Sequence, residues 1–594
     1  MANRILFFVH YDKYNNVLGN IYYLLRSVRH MYSRVVFISN SPISDDDLIK
    51  LENHCETVII RENKGFDFGA WKEGLLKEGW ETLSQYDSVT LMNDSCFGPL
   101  FDLQEAYTKA KRGNVDFWGA TLYLGTRRGM PGTDGPVLEH IQSYFLCFNK
   151  NVILSEVFQK FWMNLEIKDS VFETIKCYET QLTALLANSG FKYSAMYTPD
   201  QTVRNPDVSQ FGPDMIIQNR IPLLKKKAFA SFPFPAYIID LIKERTDYPI
   251  DLIYEWASEM LNPNLSLRVC DKLLAAVPLG CKDTQGLSIA IHLHVFFVDI
   301  LEEMIKYIEN ISINIDLYIT TDTAEKRNEI CVRCRSSKIG EYLKEIFVFE
   351  NKGRDILPWL CISDVLGRYD IVGHFHTKKV ITADDWIGVT WLHDFLGLLL
   401  LPADRIAREF AGNPRLGVVI PEIPSWIRAK PYLFGGQKKN APKVDELWKR
   451  MGCRKEMNFE SLDIFIASYG SMFWYRPSAL RSLFNLNLSV DDFPEEPIGN
   501  DFTMAHCIEH VLVYCAWNDG FDYRIMVFSP PKISNFTDYA SFAREDYGSL
   551  KKNSKEYRLI ILLLNVARKT GALYLLKAIL AVRRRLLEKR RKRR

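Results

Sequence analysis

Asp94 stands in Leu91-Met-Asn-Asp-Ser-Cys-Phe-Gly-Pro-Leu100, directly after a short apolar run. An acid at the end of a buried strand suits a divalent cation that holds a diphosphate, because such ions take oxygen ligands and neutralise a leaving group. Here the flanking residues are Asn93 and Ser95, so the pattern stops short of a full Asp-x-Asp. The competing reading is an Asp that caps the following helix. A second acid, Asp67, lies in Arg61-Glu-Asn-Lys-Gly-Phe-Asp-Phe-Gly-Ala-Trp71. Backbone donors of this Gly-containing turn can face a nucleotide, with Asp67 accepting from base or ribose; again the bland alternative is a cap. A third, Glu179, falls late in the same half, where a carboxylate reaching the site could remove a proton from an attacking hydroxyl. Its bland alternative is a solvated helix face or a buried ion pair.

The turn returns. Glu350-Asn-Lys-Gly-Arg-Asp-Ile-Leu-Pro-Trp359 shares Glu-Asn-Lys-Gly-x-Asp and the later Trp with the first copy, at a fixed offset of 288. Asn63, Gly65 and Asp67 therefore match Asn351, Gly353 and Asp355. Caps alone do not demand the preceding Asn-Lys-Gly, so the recurrence favours a functional turn. At an offset of 330, Cys507-Ile-Glu509 matches Cys177-Tyr-Glu179, which pairs Glu509 with Glu179. The position of Asp94 is taken by Thr377, within His376-Thr-Lys378-Lys379. Lysine and histidine can neutralise phosphate without a metal. The second half has either kept a cationic version of the site or lost catalysis and binds a glycan or lipid phosphate.

In the first half, Ile5–Val9, Arg34–Ser39, Glu56–Arg61 and Ser88–Met92 are apolar strand candidates, separated by helices predicted over Tyr22–Met31, Asp45–His54 and Ala70–Gln85. Alternation of this kind predicts a mostly parallel α/β sheet, with ligands beyond the carboxyl ends of its strands. Ser39, Asp67 and Asp94 then share one edge. Further strands are expected over Phe117–Leu122 and His140–Phe148, a loop over the site at Gly125–Gly135, and one long helix over Glu173–Asn188. The second half repeats the order through Ser288–Phe297, Ile315–Thr320, Glu345–Phe349 and Ile371–Phe375. Residues 222–284 read as a helical linker.

At 594 residues the chain has room for two to four domains. Its net charge is +3, yet residues 583–594 hold nine Lys or Arg against one Glu, which leaves the body acidic. That argues against nucleic acid as a partner. The twelve Cys are scattered; Cys331 and Cys334 form a lone CxxC, better read as buried reduced thiols of a cytoplasmic protein than as a zinc or redox site. The first thirteen residues carry a five-residue apolar run and no cleavage site, so no signal peptide is expected. Leu559–Val566 and Ala572–Val582 are apolar but shorter than a spanning helix. With the basic run behind them they read as an interfacial anchor on an anionic leaflet, against the alternative of a packed helix with a solvated end.

These residues resemble the rhamnan synthesis protein F family, and the first half is especially similar to the rhamnosyltransferases of streptococcal-type cell-wall polysaccharide assembly. The motifs that carry the resemblance are Val9-His-Tyr-Asp-Lys-Tyr14, Val36-Phe-Ile-Ser-Asn-Ser41, the two stretches around Asp67 and Asp94, Asp116-Phe-Trp-Gly119, Glu139-His-Ile-Gln-Ser-Tyr-Phe145, Tyr178-Glu-Thr-Gln181, His376-Thr-Lys-Lys379 and Ala505-His-Cys-Ile-Glu509. They span roughly residues 3–545.

The resemblance implies two tandem GT-A-like, Rossmann-like domains, at 1–221 and 285–545, joined by the 222–284 linker and followed by a basic amphipathic tail at 546–594. It implies an inverting rhamnosyltransferase with dTDP-L-rhamnose as donor and a polyprenyl-diphosphate-linked rhamnan as acceptor. The protein would sit in the cytoplasm, peripherally associated with the inner leaflet of the membrane through the tail. On this reading Glu179 and Glu509 are the catalytic bases, and Asp94 holds Mg²⁺ or Mn²⁺. The nucleotide-sugar-binding set is Asn63, Gly65, Asp67, Asn93, Asp94, Asn351, Gly353, Asp355, His376 and Lys378. The incomplete Asp-x-Asp departs from the usual pattern and puts metal dependence in question. Two rivals are a transferase using another nucleotide deoxysugar, and a non-catalytic organiser that binds lipid-linked glycan.

Overall fold

The computed structural model describes residues 2–126, 136–200, 207–232, 234–281, 283–284, 286–379, 385–424, 440–462, 464–496 and 503–528. The chain divides into two compact units, residues 1–272 and 273–594. Each is mixed α/β and is built on an eight-stranded sheet.

In the first unit the strands are β1 (Arg4–His10), β2 (Arg34–Ser39), β3 (Thr57–Ile60), β4 (Ser88–Asn93), β5 (Cys96–Phe97), β6 (Phe117–Tyr123), β7 (His140–Ile141), β8 (Phe145–Asn149), β9 (Tyr193–Tyr197) and β10 (Leu224–Lys225). The sheet runs β3-β2-β1-β4-β8-β6-β7, with β9 also on β6. Pairings from β3 to β4 are parallel, β8 is antiparallel to both β4 and β6, and β9 is parallel to β6. Period-two alternation places Ile5, Phe7 and Val9 in one core layer and Leu6 and Phe8 in the other. Both layers are apolar because helices cover both faces of such a sheet. Burial of each large side chain contributes about 1.5–3 kcal/mol.

The second unit holds β11 (Leu273–Ala275), β12 (Ile289–His294), β13 (Asp316–Thr321), β14 (Leu343–Val348), β15 (Ile371–His376), β16 (Leu416–Pro421), β17 (Phe473–Tyr475) and β18 (Asp522–Val527). Its order, β11-β18-β16-β17-β15-β12-β13-β14, repeats seven strands of the first sheet, with β12 in the place of β1, β15 in that of β4 and β18 in that of β9; β7 and β11 have no counterparts. The pairing senses repeat as well: β17 is antiparallel to its two neighbours, and β18 is parallel to β16. The duplicated hexad therefore marks a duplicated architecture.

The segment expected as a linker is placed differently. The helices Pro235–Arg245, Ile250–Met260 and Pro263–Val269 bury Ile238, Ile242, Ile253 and Trp256 against Phe97 and Leu100. Just before them, β10 pairs antiparallel with β5. Residues 222–272 thus complete the first unit, whereas β11 joins the second by pairing with β18. Helical periodicity marks these residues as helical, but it carries no information about which core their apolar face covers.

The helix expected over Glu173–Asn188 is also interrupted. It consists of Val171–Thr174, a π-turn at Ile175–Glu179, and Thr180–Asn188. Likewise His140–Phe148 is two short strands rather than one. Most of the Gly125–Gly135 loop and all of the tail at 546–594 lie outside the described residues. No helix among the described residues is long and apolar enough to cross a membrane. All twelve cysteines are free; Cys334 is buried and Cys331 partly so.

Candidate functional site

The repeated hexad forms the same backbone turn twice. Lys64 N–H donates to Glu62 O at 2.8 Å, and Lys352 N–H donates to Glu350 O at 2.8 Å. Two consecutive left-handed residues follow in each unit: Gly65 (φ 71°) and Phe66 (φ 53°), then Gly353 (φ 65°) and Arg354 (φ 55°). Both glycines are favoured by conformation, and Gly353 also by space. A Cβ on Gly65 would meet Ile167 Cδ1 at 2.9 Å, and one on Gly353 would meet Leu357 Cβ at 2.7 Å. The turn delivers Asp67 into the first turn of the helix Phe66–Glu78 and Asp355 to the start of Ile356–Cys361. Arg61 ties the first copy down, donating to Asn40 Oδ1, Lys64 O and Glu73 Oε2. Asn63 is partly exposed and Asn351 exposed.

In the first unit, Asn93 Nδ2 donates to Asp67 Oδ2 at 2.7 Å, while Asn93 Oδ1 accepts from Ser95 Oγ at 2.6 Å. The next residue, Asp94, accepts the Tyr11 N–H on Oδ2 at 3.2 Å. Glu179 ends the π-turn and accepts the Ser143 N–H on Oε1 at 2.9 Å. The extra residue of a π-turn re-aims the side chains around it, and such turns recur at functional sites. Burial pushes the Asp67 carboxyl up to about 7, and the charges of Asp94 and Glu179 push the same way against the Asn93 hydrogen bond. Asp67, Asp94 and Glu179 therefore form one electrostatic cluster at the carboxyl edge of β1 and β4.

Two lysines that the sequence reading assigned to the linker reach this cluster. β10 brings in Lys225, which packs over the Tyr144 ring at 5.1 Å, and Lys226, whose N–H donates to Ser95 O at 2.9 Å. Burial lowers the Lys226 pKa, opposed by the nearby Asp94. Burial also lowers that of His10, which bonds Ser39 Oγ at 3.1 Å and senses both Asp94 and Lys226. The Lys225-Lys-Lys227 run was the available signal.

Among the described residues no three His, Cys, Asp or Glu side chains form a ready-made metal ligand set. Magnesium is commonly held by one or two carboxylates, with water and substrate phosphates filling the shell. Asp94, with Asp67 beside it, fits that partial role.

In the second unit Thr377 occupies the Asp94 position. Asp94 N–H donates to Val9 O at 3.0 Å, and Thr377 N–H donates to His294 O at 2.9 Å. Asp355 Oδ2 lies 3.2 Å from His374 Nε2. Burial works against ionisation of Asp355, yet His376 and His374 hold its carboxyl well below the usual carboxylate range. His376 Nε2 donates to Gly470 O at 2.6 Å. Glu509 sits in the regular helix Met504–Asn518 and accepts from Gly470 N–H at 3.2 Å and Ser471 Oγ at 3.1 Å. Glu509 and Glu179 thus cap the same loop, the one that leads into β17 or β8. Burial pushes Glu509 up to about 7, against the pull of Lys378. The Lys378 ammonium lies 3.7 Å above the Trp391 ring, and burial lowers its pKa.

Beneath this site runs a set of polar groups that the sequence reading missed. His374 Nδ1 is 2.8 Å from His292 Nδ1, His292 Nε2 is 2.9 Å from Thr320 Oγ1, and Thr320 Oγ1 is 2.9 Å from His294 Nδ1. The i, i+2 spacing of His292 with His294 and of His374 with His376, each in a buried strand, was the signal.

Comparison with known proteins matches residues 35–521 to a family described as rhamnan synthesis protein F. The uncharacterized protein WxcX of Xanthomonas campestris pv. campestris is 33% identical over 239 residues, covering 39% of this chain and 32% of that one. The virulence protein VirA of Vibrio anguillarum is 27% identical over 193 residues, covering 31% of this chain and 56% of that one. The chain spans less than two thirds of the length of these relatives. Among solved structures, the glycosyltransferase GlyE of Streptococcus pneumoniae TIGR4 aligns over 64% of this chain and 87% of its own, at 12% identity and a TM-score of 0.24. The mannosyltransferase Ktr4p of S. cerevisiae in complex with GDP aligns over 32% and 68%, at 9% identity and a TM-score of 0.21.

Proposed function

The chain belongs to the rhamnan synthesis protein F family, and on that premise we propose that it is a glycosyltransferase of two tandem GT-A-like units that moves L-rhamnose from dTDP-L-rhamnose to a lipid-linked rhamnan. The observation that carries this reading is the meeting of Asp67, Asp94, Glu179 and Lys226 at the carboxyl edge of the first sheet. A transfer that inverts the anomeric carbon needs a base for the acceptor hydroxyl and positive charge at the leaving diphosphate. Glu179 takes the hydroxyl proton as the acceptor oxygen bonds to the anomeric carbon. The bond from that carbon to the diphosphate oxygen breaks, and its electron pair leaves with dTDP. Ser143 N–H holds the Glu179 carboxylate in place. Lys226 and Lys225 face the leaving group. Asp94, with Asp67, would hold Mg²⁺ or Mn²⁺, which when bound supplies further neutralisation of the diphosphate.

The second unit, with Thr377 at the Asp94 position, would neutralise phosphate through Lys378 and His376, with Glu509 as its base. The tail at 546–594 keeps the enzyme at the inner leaflet beside a polyprenyl-diphosphate-linked acceptor.

The test is transfer of rhamnose from dTDP-L-rhamnose to a synthetic lipid-linked rhamnan by wild type, Asp94→Ala and Asp355→Ala, with Mg²⁺ or Mn²⁺. Loss in Asp94→Ala with retention in Asp355→Ala places transfer in the first unit. Loss only in Asp355→Ala moves it to the second. Tight acceptor binding without transfer by wild type replaces this reading with a glycan-binding organiser.

A further inference from the structure

The equivalent strand positions of the two units differ in one consistent way. Main-chain pairing aligns His294 with Val9, His292 with Phe7, Thr320 with Ile38 and His374 with Leu91. All four first-unit residues belong to one apolar core layer. In the second unit the same layer carries four polar side chains, each buried. Burying a polar group is unfavourable unless its hydrogen bonds are made. Here they are made to one another, in a line from Asp355 through His374, His292 and Thr320 to His294.

The line has a direction. An ionised carboxylate only accepts, so His374 Nε2 carries a proton. A neutral His374 then accepts on Nδ1, so His292 Nδ1 carries the proton between the two rings. His292 Nε2 in turn accepts from the Thr320 hydroxyl, and Thr320 Oγ1 accepts from His294 Nδ1–H. Every tautomer is set from the Asp355 end, and His294 is left with a lone pair on Nε2. His294 stands at the carboxyl end of β12, beside His376 on β15. It is 5% exposed, and Nε2 has no hydrogen-bond partner among the described residues. A reversed line would need either a protonated Asp355 or an imidazolium at His374; the His374 hydrogen bond holds the Asp355 carboxyl down, and burial lowers the His374 pKa.

We infer that His294 Nε2 is a hydrogen-bond acceptor for a sugar hydroxyl in the second unit, its lone pair fixed by the line of bonds that starts at Asp355. Lysine 378 and His376 suit the anionic part of a ligand; His294, which presents no N–H there, suits a hydroxyl and not a phosphate oxygen. The choice of a sugar rests on the glycosyl-transfer reading. His294 is the contact residue, and Asp355, His374, His292 and Thr320 position it.

The experiment uses full-length protein labelled with ¹⁵N-histidine, and reads the protonated nitrogen of each ring by two-bond ¹⁵N–¹H correlation. His294→Asn assigns the signal. The expected result is a proton on Nδ1 and none on Nε2 in wild type, loss of that single tautomer in Asp355→Asn, and its return in Asp355→Glu. A synthetic rhamnan oligosaccharide should shift the Nε2 resonance, and His294→Asn should bind it about tenfold more weakly. A proton on Nε2 in wild type overturns the inference, and so does a correct tautomer that no oligosaccharide perturbs. If the oligosaccharide shifts Nε2 while dTDP-L-rhamnose is not turned over, the proposed donor fails and the inference stands.

Discussion

The main-chain N–H of Tyr11 donates to Asp94 Oδ2 at 3.2 Å. In the second unit Phe296, at the matching position after β12, donates its N–H to Thr377 Oγ1 at 3.0 Å. The two side chains hold the same loop amide, but only Asp94 brings a charge to it. Asp94→Asn keeps an acceptor for Tyr11 and removes that charge. Rhamnosyl transfer should fall about 10²–10³-fold, the scale of removing one electrostatic stabiliser of a transition state, with little change in melting temperature. Steady-state kinetics beside thermal melts check both halves; an equal loss of stability would make Asp94 a structural cap.

Glu179→Gln retains a carbonyl oxygen for the Ser143 N–H and loses the basic site. The expected outcome is a fall in kcat of about 10²–10⁴-fold with KM for dTDP-L-rhamnose nearly unchanged. A rise in KM alone would assign Glu179 to binding.

Asp67 gives a pH prediction whose sign is fixed. Its carboxyl rises from 3.8 to about 7 in the folded chain, chiefly through burial. The folded state therefore holds this proton more tightly than the unfolded state. The stability it contributes is fully present below pH 4 and is lost as pH rises through 7, by up to about 4 kcal/mol. Melting temperatures of Asp67→Asn and wild type should diverge between pH 5 and pH 8, with the variant gaining relative stability at the higher pH. Parallel curves would contradict it.

The duplicated tryptophans offer a matched pair. Trp359 Nε1 donates to Tyr475 Oη at 2.8 Å, whereas the buried Trp71 Nε1 has no partner among the described residues. Trp→Phe removes the same volume at both sites but breaks a hydrogen bond only at 359, leaving the Tyr475 hydroxyl buried and unmet. Trp359→Phe should cost about 1–3 kcal/mol more than Trp71→Phe in chemical denaturation. The two units are best resolved by hydrogen exchange of their own peptides.

The parts of the site legible in the sequence are those with local causes. Gly65 and Gly353 are needed because the turn passes through left-handed backbone, so the hexad repeats as a unit with its Asp. The equivalence of Thr377 with Asp94 follows from strand ends, which apolar runs mark well. Lys225 and Lys226 were not legible as site residues, because β5 and β10 are two residues each and their pairing leaves no periodicity. The π-turn that ends at Glu179 was hidden for a related reason: Val171–Asn188 reads as one helix, and one extra residue per turn is a tertiary choice. The histidines of β12 and β15 share a face by alternation, yet nothing local says that the two faces meet.

The pairing of β10 with β5 also bears on biosynthesis. Leu224 lies opposite Phe97, so closing that pair spans 127 residues. When the ribosome has made the first sheet, the acidic cluster has neither of its lysines, and Phe97 lacks the helices that cover it. Long-range closure of this kind is slow and leaves apolar surface open meanwhile. A chain cut at residue 221 should aggregate, and one ending at residue 272 is the shortest N-terminal fragment that carries a whole first unit.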